Sequence, residues 1–238
     1  MYRIYRNGQL EYYETQANVA YWEKHWSEQV IAEELKKENK FISKTLRQFN
    51  AAGERILEAG CGIGSFLSPM VHYGYNAIGL DYAPETLRKL KKVAPEFNLI
   101  AGDVSRLPCG DCTFEGYWSI GVIEHFEGGF EDVIRECGRV LKKGGVAYIS
   151  FPYMNLLRRL KGILGLYRRA PDMESVFYQY ALDHKRVKKE WERNGFDYMK
   201  QFYMFPHFRG PFSGMRVISR LLDPFHHHAI MLVFRKGS

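Results

Sequence analysis

Length, composition and charge narrow the class of protein first. The 238 residues predict one domain, or one domain with a cap, and 46% hydrophobic residues are enough for a full core. A formal net charge of +7 favours anionic partners, namely nucleic acid, an anionic membrane surface or an acidic small molecule, without choosing among them. No apolar run reaches the roughly 18 residues of a transmembrane helix, and the N-terminus does not resemble a signal peptide. We therefore expect a cytoplasmic protein, with peripheral membrane contact left open.

The first 50 residues are polar, aromatic and helical in pattern. Between residues 17 and 49, apolar side chains recur mostly at helical spacing, with charges between them. The stretch Asn50-Ala-Ala-Gly53 ends this pattern. We therefore predict a helical N-terminal segment over residues 1–50.

From residue 51 onward, strands alternate with helices. The alternation predicts right-handed βαβ units and a parallel sheet. We expect one α/β domain over 1–238, with a seven-stranded, mostly parallel sheet, an antiparallel edge strand and helices on both faces. A core over 51–152 is followed by two insertions, 153–182 and 207–225, that we expect to cap a substrate site. The predicted strands cover 55–59, 77–80, 97–101, 113–120, 146–151, 196–205 and 229–235, and the predicted helices 65–73, 84–93, 130–141 and 183–194.

The strongest chemical signal is a glycine-rich turn between the first core strand and its helix, Glu58-Ala-Gly-Cys-Gly-Ile-Gly64. Glycines let the backbone approach a ligand closely, and the helix N-terminus then faces that ligand. The spacing of Gly60, Gly62 and Gly64 lacks the extra residue of the dinucleotide fingerprint. A carboxylate at Glu58 would oppose a pyrophosphate but would suit an ammonium group. The turn therefore fits S-adenosylmethionine, which carries an amine and a sulfonium and no phosphate.

Acidic residues follow the next two strands. Asp81 ends the second core strand, where a carboxylate can accept hydrogen bonds from both hydroxyls of a ribose. Asp103 follows the third strand and could accept from an adenine amino group while Val104 packs on the ring. The alternative for Asp103 is a plain turn residue.

Five motifs in order carry a resemblance to a known family: E-x-G-C-G-x-G, Gly79-Leu-Asp81, Gly102-Asp103, Ser119–Phe126 and Arg139–Gly145. On these motifs, the run from Ile56 to Phe151 resembles the core of class I (Rossmann-like) S-adenosylmethionine-dependent methyltransferases. It is most similar to the type 11 group, which includes the ubiquinone and menaquinone biosynthesis methyltransferases. One departure is Ala83, where relatives often have a helix-capping serine; its absence costs about 1 kcal/mol and does not touch the chemistry.

The resemblance implies a cofactor, a set of contacts and a lid. S-adenosylmethionine would be the methyl donor and S-adenosylhomocysteine the product. Tyr21, Trp22 and Trp26 would belong to an N-terminal helical lid over the cofactor cleft, with ordinary helix packing as the alternative. The cofactor-binding residues implied by the family pattern are Glu58, Gly60, Cys61, Gly62, Gly64, Asp81, Tyr82, Asp103, Val104, Ser119 and Ile120.

His125 is the candidate catalytic base. It follows Glu124 near the end of the fourth core strand, at the edge of the sheet where α/β proteins place their ligands. Methyl transfer from a sulfonium is an in-line displacement, so a base is needed only when the nucleophile must lose a proton, and histidine titrates in the useful range. The alternatives are that Glu124 and His125 fix the loop by hydrogen bonds, or that His125 lines the pocket.

We predict no metal site. Cys109 and Cys112 form a C-x-x-C pair, but Cys61 and Cys137 do not supply the second pair that structural zinc needs. The histidines at 226–228 precede an edge strand, on which alternate side chains point to opposite faces, so a surface role is expected.

Residues 153–169 have the pattern of a basic amphipathic helix near the mouth of the active site. It would hold an anionic or lipid-like substrate, rest on a membrane surface, or only cap the core.

The function expected is methyl transfer to a small-molecule acceptor, with an anionic or amphipathic acceptor left open. RNA or protein methylation is a second hypothesis because of the basic charge, although Ser119–Val122 lacks the Asn/Asp-Pro-Pro-Tyr/Phe motif of enzymes that methylate nucleic-acid amino groups. A non-catalytic cofactor-binding module is a third hypothesis, and a nicotinamide-dependent oxidoreductase is a fourth, which the glycine spacing and Glu58 oppose.

Overall fold

The fold is seen in a computed structural model that describes residues 2–14, 26–167, 175–206 and 227–237. The strands are β1 (Tyr2–Arg6), β2 (Gln9–Glu14), β3 (Arg55–Ala59), β4 (Asn76–Asp81), β5 (Asn98–Ala101), β6 (Phe114–Ile120), β7 (Leu141–Pro152), β8 (Val176–Ala181), β9 (Phe196–Pro206) and β10 (His227–Lys236). The helices are α1 (Glu28–Leu35), α2 (Lys40–Leu46), α3 (Leu67–His72), α4 (Pro84–Val93), α5 (Glu131–Val140), α6 (Leu156–Ile163) and α7 (His184–Arg193), with a 3-10 turn at Ile123–His125.

Seven strands form one sheet in the order β5-β4-β3-β6-β7-β10-β9. The first five strands in this order, β5, β4, β3, β6 and β7, pair in parallel. Strand β10 runs antiparallel to both of its neighbours, β7 and the edge strand β9. The predicted seven-stranded, mostly parallel sheet is confirmed. The core elements follow the sequence pattern closely, and β3 and α4 have the predicted bounds.

Both faces of the sheet are covered by helices. Neighbouring residues of β3 point to opposite faces, so Ile56 and Leu57 belong to different apolar clusters. The Ile56 cluster includes residues of α1 to α4, and the Leu57 cluster includes residues of α5 and α7. A strand that is buried on both faces reads as a continuous apolar run, which is why the parallel strands were recognisable in the sequence.

The strand order reverses at β3. Its parallel neighbour on one side is β4, the next strand in the chain, and its neighbour on the other side is β6. Loops that leave the carboxyl ends of two such strands run in opposite directions and open a crevice between them, which is where α/β sheets bind ligands. The glycine-rich turn after β3 lies at this crevice.

The first 14 residues correct the prediction of a helical segment over 1–50. Helices α1 and α2 are present within that range, but β1 and β2 form an antiparallel hairpin that pairs Arg6 with Gln9. Asn7 and Gly8, at the turn, have positive φ angles of 51° and 77°. An Asn-Gly pair between alternating residues is a strong hairpin signal, because both turn positions need positive φ.

The hairpin belongs to a second, three-stranded antiparallel sheet. Strand β8 comes from the predicted insertion 153–182 and pairs with β2, for example Leu10 with Ala181. Leu10, Tyr12, Met154 and Ala181 form its buried apolar cluster. The insertion therefore builds this small sheet together with the N-terminal residues.

Helix α6 confirms a helix within residues 153–169 and packs against the hairpin. A Cβ atom added at Gly162 would lie 2.6 Å from the ring of Tyr5, so the two elements approach as closely as a glycine allows. The outward face of α6 exposes apolar side chains, and its Arg158 is buried at 9% exposure. The amphipathic helix therefore turns Arg158 toward the protein and several of its apolar side chains toward solvent.

Several predictions fall outside the described residues: Tyr21, Trp22, the insertion at 207–225 and His226. Within the described ranges, no helix is long and apolar enough to cross a membrane. The same ranges contain no cluster of three or more His, Cys, Asp or Glu side chains placed to hold a metal ion.

Candidate active site

Two cavities adjoin at the carboxyl edge of the main sheet. The first cavity has a volume of about 610 Å³, in the size range of small-molecule sites. It lies at the carboxyl ends of β3, β4, β5 and β6. Its lining includes Trp26, Glu34, Gly60, Cys61, Gly62, Phe66, Asp81, Tyr82, Asp103, Val104, Ile120, Gly121, Val122, His125, Phe126, Phe177 and Tyr178.

The glycine-rich turn forms one wall of the first cavity. The backbone N–H groups of Gly60 and Cys61 both donate to the carbonyl of Leu80, at 2.8 and 2.9 Å. Gly60 has a φ of +83°, and a Cβ atom there would lie 2.4 Å from Cγ2 of Val122. Only glycine satisfies both the positive φ and the close approach of the loop after β6.

Asp81 ties the ends of β3 and β4 together. Its Oδ2 accepts from the N–H of Gly62 at 2.8 Å, and its Oδ1 accepts from the N–H of Ala83 at 2.9 Å. Burial raises the pKa of the Asp81 carboxyl, and these backbone hydrogen bonds work in the opposite direction. Each carboxylate oxygen has a further lone pair, so Asp81 can also accept from a ligand hydroxyl.

Three of the eleven predicted cofactor-binding residues do not line the first cavity. Gly64 is packed against side chains of α4, since a Cβ atom there would lie 3.2 Å from Leu90. Ser119 and Glu58 are each 1% exposed. Burial and the nearby Asp81 charge raise the pKa of Glu58 well above its usual value, so the side chain favours its neutral form. The other eight predicted residues line the cavity, as does Trp26.

The charged side chains that line the first cavity are acidic. Glu34, Asp81 and Asp103 line it, and no Lys or Arg does so among the residues that the structure describes. Phosphate sites are built with Lys, Arg or helix N-termini that neutralise the anion. The residues present therefore fit a nucleoside with a cationic group and without phosphate, such as S-adenosylmethionine, better than they fit a dinucleotide.

His125 is held in one orientation by the small sheet. Its Nδ1 lies 2.7 Å from the carbonyl oxygen of Tyr178 in β8, and the two rings are in edge contact at 5.1 Å. Because a carbonyl only accepts, Nδ1 carries the proton, and Nε2 is the acceptor nitrogen of the neutral ring. Burial lowers the pKa of His125 below its ordinary value, against the effect of the Tyr178 hydrogen bond.

The second cavity has a volume of about 770 Å³ and shares Ile120 and Gly121 with the first. The small sheet, α6, β7 and β10 all contribute to its walls. The residues that line it include Arg3, Tyr12, Ile120, Gly121, Glu124, Ser150, Phe151, Asn155, Leu157, Arg158, Lys161, Tyr167, Gln179, His228 and Ala229.

Glu124 is a buried acid at the wall of the second cavity. It is 2% exposed, and its Oε2 has no hydrogen-bond partner within the described part of the chain. Burial raises the pKa of Glu124 to about 8. The carboxyl is therefore mostly protonated at neutral pH and can donate a hydrogen bond into the cavity.

Sequence reasoning missed the residues that the small sheet brings to the site. Arg3 and Tyr12 of the hairpin line the second cavity, and Phe177 and Tyr178 of β8 line the first. The Asn7-Gly8 pair would have revealed the hairpin. No local signal indicates that the hairpin pairs with β8, because that contact joins residues far apart in sequence.

The strand order defines the class of fold as Rossmann-like, with an acidic cavity at the point where the order reverses. The family comparison agrees. A family model described as a methyltransferase domain matches residues 57–149. Over this region the chain is similar to S-adenosylmethionine-dependent methyltransferases, and this similarity and the fold imply S-adenosylmethionine as the cofactor.

Two curated relatives illustrate the similarity in sequence. A protein of Mycolicibacterium smegmatis named "Probable S-adenosylmethionine-dependent methyltransferase" is 34% identical over 101 residues, which are 42% of this chain and 39% of the relative. The ubiquinone biosynthesis O-methyltransferase of Mesorhizobium japonicum is 28% identical over 102 residues, 41% of each chain. The chain thus matches less than half the length of these relatives.

The fold extends beyond the region of sequence similarity. A crystal structure of an S-adenosylmethionine-dependent methyltransferase from Mesorhizobium loti superposes with a TM-score of 0.59. The superposition covers 81% of this chain and 96% of that one at 16% identity. At such identity the likeness shows the fold alone.

Proposed function

We propose that this chain transfers the methyl group of S-adenosylmethionine to a small-molecule acceptor that occupies the second cavity. The observation that carries the proposal is that the two cavities are adjacent and share Ile120 and Gly121 in their linings. A donor in the first cavity and an acceptor in the second would meet there. Orientation of two reactants in this way accounts for roughly 7–11 kcal/mol of a barrier in favourable cases.

Residues of the first cavity would hold the donor. Asp81 would bind the ribose, Asp103 and Val104 the adenine, and Ile120 would lie beside the methionine part, with the backbone of Gly60–Gly62 close to the ligand. When bound, S-adenosylmethionine supplies an electrophilic methyl group on a positively charged sulfur. The acidic lining tolerates this charge, and Trp26 and the β8 aromatics reduce access of water.

His125 takes the proton of the acceptor where the nucleophile carries one. Its pKa is lowered by burial, so the ring is neutral at physiological pH. The hydrogen bond to the Tyr178 carbonyl fixes the tautomer in which Nε2 accepts. Glu124 is protonated at that pH and acts as a hydrogen-bond donor to the acceptor molecule rather than as the base.

Calorimetric titration with S-adenosylhomocysteine, with NAD as control, tests the cofactor site. Wild type should bind the former in the micromolar range. Asp81→Asn keeps the size of the side chain but removes its charge and one acceptor atom, and should weaken binding by at least about tenfold, or ~1.4 kcal/mol. Asp132→Asn is the matched control, because Asp132 is an exposed aspartate that lines neither cavity.

Turnover is then tested by release of S-adenosylhomocysteine from S-adenosylmethionine with a panel of hydroxylated, amino and carboxylic acid acceptors. Binding of NAD in place of S-adenosylhomocysteine would contradict the proposal at the cofactor. Binding of S-adenosylhomocysteine without turnover of any acceptor would favour a non-catalytic cofactor-binding module.

A further inference from the structure

The second cavity is lined by basic side chains, whereas the charged side chains of the first cavity are acidic. Arg3, Arg158 and Lys161 line it, and none of them forms an ion pair with a residue that the structure describes. Arg3 and Lys161 are exposed at the edges of the cavity, whereas Arg158 is buried. A buried cation without an anionic partner is costly, and a ligand anion removes that cost.

The hydrogen bonds of Arg158 leave one edge of its guanidinium for a ligand. Nη1 donates to the carbonyls of Tyr153, at 2.6 Å, and of His228, at 3.1 Å. Nη2 donates to Nδ1 of His228 at 2.9 Å. All three acceptors are neutral, so they position the guanidinium without neutralising it.

Two of the five guanidinium donors are not used by any described residue: the Nε–H and the second hydrogen of Nη2. Because His228 accepts from both Nη1 and Nη2, it occupies the edge between these two nitrogens, and the remaining Nη2 hydrogen lies beside the Nε–H and parallel to it. That geometry matches the two oxygens of a carboxylate or a phosphate, which arginine binds in a bidentate manner.

The only carboxyl among the described residues of this cavity does not offset the positive charge. It belongs to Glu124, which burial keeps mostly protonated at neutral pH. Arg158 and Arg3 both act electrostatically on Tyr167, where they lower a phenol pKa that burial raises. The charges of the two arginines thus converge on one part of the cavity wall.

We infer that the second cavity binds an acceptor bearing a carboxylate or phosphate monoester, held by the free edge of Arg158 and attracted by Arg3 and Lys161. That the bound anion is the methyl acceptor rests on the proposed function, whereas the anion site itself is inferred from these residues alone. Tyr12, Phe151 and Leu157 line the same cavity and suit an apolar body behind the anionic group.

Calorimetry with simple probes tests this site directly. We would titrate phenylacetate, its neutral isostere phenylacetamide, and phenyl phosphate, each with and without saturating S-adenosylhomocysteine. Wild type should bind at least one anion about tenfold or more tightly than the amide, and Arg158→Gln should remove that preference. Arg159→Gln is the matched control, since Arg159 is on the same helix, pairs with Asp183 and does not line the cavity.

The outcomes separate this inference from the proposed function. Preference for phenylacetate identifies a carboxylate site and preference for phenyl phosphate identifies a phosphate site; both support the inference. Equal affinity for acid and amide, no binding of either anion up to about 10 mM, or an equal loss in Arg159→Gln would overturn it. S-adenosylhomocysteine affinity is read in every variant, so a failure of the cofactor site shows itself separately.

Loss of folding is controlled by a second variant. If Arg158→Gln lowers the thermal midpoint, the double variant Arg3→Gln with Lys161→Gln replaces two exposed side chains instead. It should weaken anion binding by about threefold to tenfold and leave amide binding unchanged. An unchanged anion affinity in that variant would also count against the inference.

Discussion

The two cavities differ in how the chain builds them. Most of the first cavity comes from residues 60–126, at the ends of four neighbouring strands of one sheet. The second cavity gathers side chains from Arg3 to Ala229, across two sheets and α6. The first is acidic among its described residues, and the second carries three cations. Among the described residues, they share only Ile120 and Gly121.

The two cavities also differ in how much of their lining lies within the region that matches the methyltransferase family model. The matched family region, residues 57–149, contains most of the first cavity and hardly any of the second. Under the proposed function, the cofactor would be bound mainly by the matched region. The acceptor would be bound mainly by elements outside that region, namely the hairpin, α6, β8 and β10.

The largest effect is expected at Gly60 in the first cavity. In Gly60→Ala the new Cβ atom would overlap Cγ2 of Val122 at 2.4 Å and would also sit at positive φ. We expect destabilisation by more than about 2 kcal/mol and loss of S-adenosylhomocysteine binding. Urea denaturation and calorimetry measure the two effects.

Gly74→Ala is the control for backbone strain. Gly74 also has a φ of +83°, but nothing lies within 4 Å of its Cβ position. This variant should lose only about 1 kcal/mol and bind the cofactor product normally. Equal effects of the two substitutions would show that the close approach to Val122 is not what shapes the first cavity.

A pH-dependent effect is expected at Glu124 in the second cavity. Its pKa is about 8 in the folded protein against 4.5 as the ordinary value, so the folded state holds more protons between these two values. The free energy of unfolding therefore falls as the pH rises from about 4.5 to about 8. Glu124→Gln should remove this contribution, and the stability of the variant relative to wild type should rise by a few kcal/mol, as an order of magnitude, over that range.

Urea denaturation of both proteins at about pH 5.5 and about pH 8.5 gives the comparison. Subtracting wild type from variant at each pH cancels the other buried acids, such as Glu58. A stability difference that does not change with pH would mean that Glu124 is charged in the folded protein, and that the second cavity is less positive than we infer.

A smaller effect, confined to the second cavity, is expected from Gly162→Ala. The added Cβ would meet the Tyr5 ring at 2.6 Å and push α6 away from the hairpin. We expect a loss of about 1–3 kcal/mol and weaker binding of the anionic probes, with S-adenosylhomocysteine affinity unchanged.

Gly138→Ala provides the matched helical glycine. It lies in α5, where a Cβ would make ordinary contacts with Phe196 at 3.6 Å, so helix propensity should make this substitution neutral or stabilising by up to about 1 kcal/mol. If Gly162→Ala instead disturbed cofactor binding and left anion binding intact, the division between the two cavities would be wrong.

The smallest effect is the titration of His125, which stands at the junction of the first cavity and the small sheet. Nitrogen NMR should show the neutral tautomer with the proton on Nδ1, and a pKa below the ordinary value of 6.5. His125→Gln assigns the signals by their disappearance. A neutral ring with its proton on Nε2 would leave Nε2 unable to accept a proton and would remove His125 as a base.

Much of the main sheet could be read from the sequence. Strand β3 and helix α4 were predicted with their observed bounds, because buried parallel strands are continuous apolar runs and Pro84 marks the first turn of a helix. Gly60, Asp81 and Asp103 could be identified because each lies at or just after the carboxyl end of a strand, and these ends share one edge of the sheet. The cofactor contacts themselves remain predictions that the titrations above test.

The N-terminal hairpin could not be read in the same way. Its Asn7-Gly8 turn is a local signal that was overlooked, whereas its pairing with β8 is not local at all. The role of Arg158 also depends on context. The sequence places it on a basic amphipathic helix, but only packing against the hairpin and β10 turns it toward the protein and buries it.

The sequence by itself determined the order of the core elements and the residues at the ends of its parallel strands, because local apolar periodicity and turn chemistry act over a few neighbours. Tertiary structure decided which side chains form the second cavity, because segments near residues 3, 124, 158 and 228 meet only when the small sheet and α6 close over β7 and β10. It also decided the protonation of Glu124 and His125, because burial sets both pKa shifts.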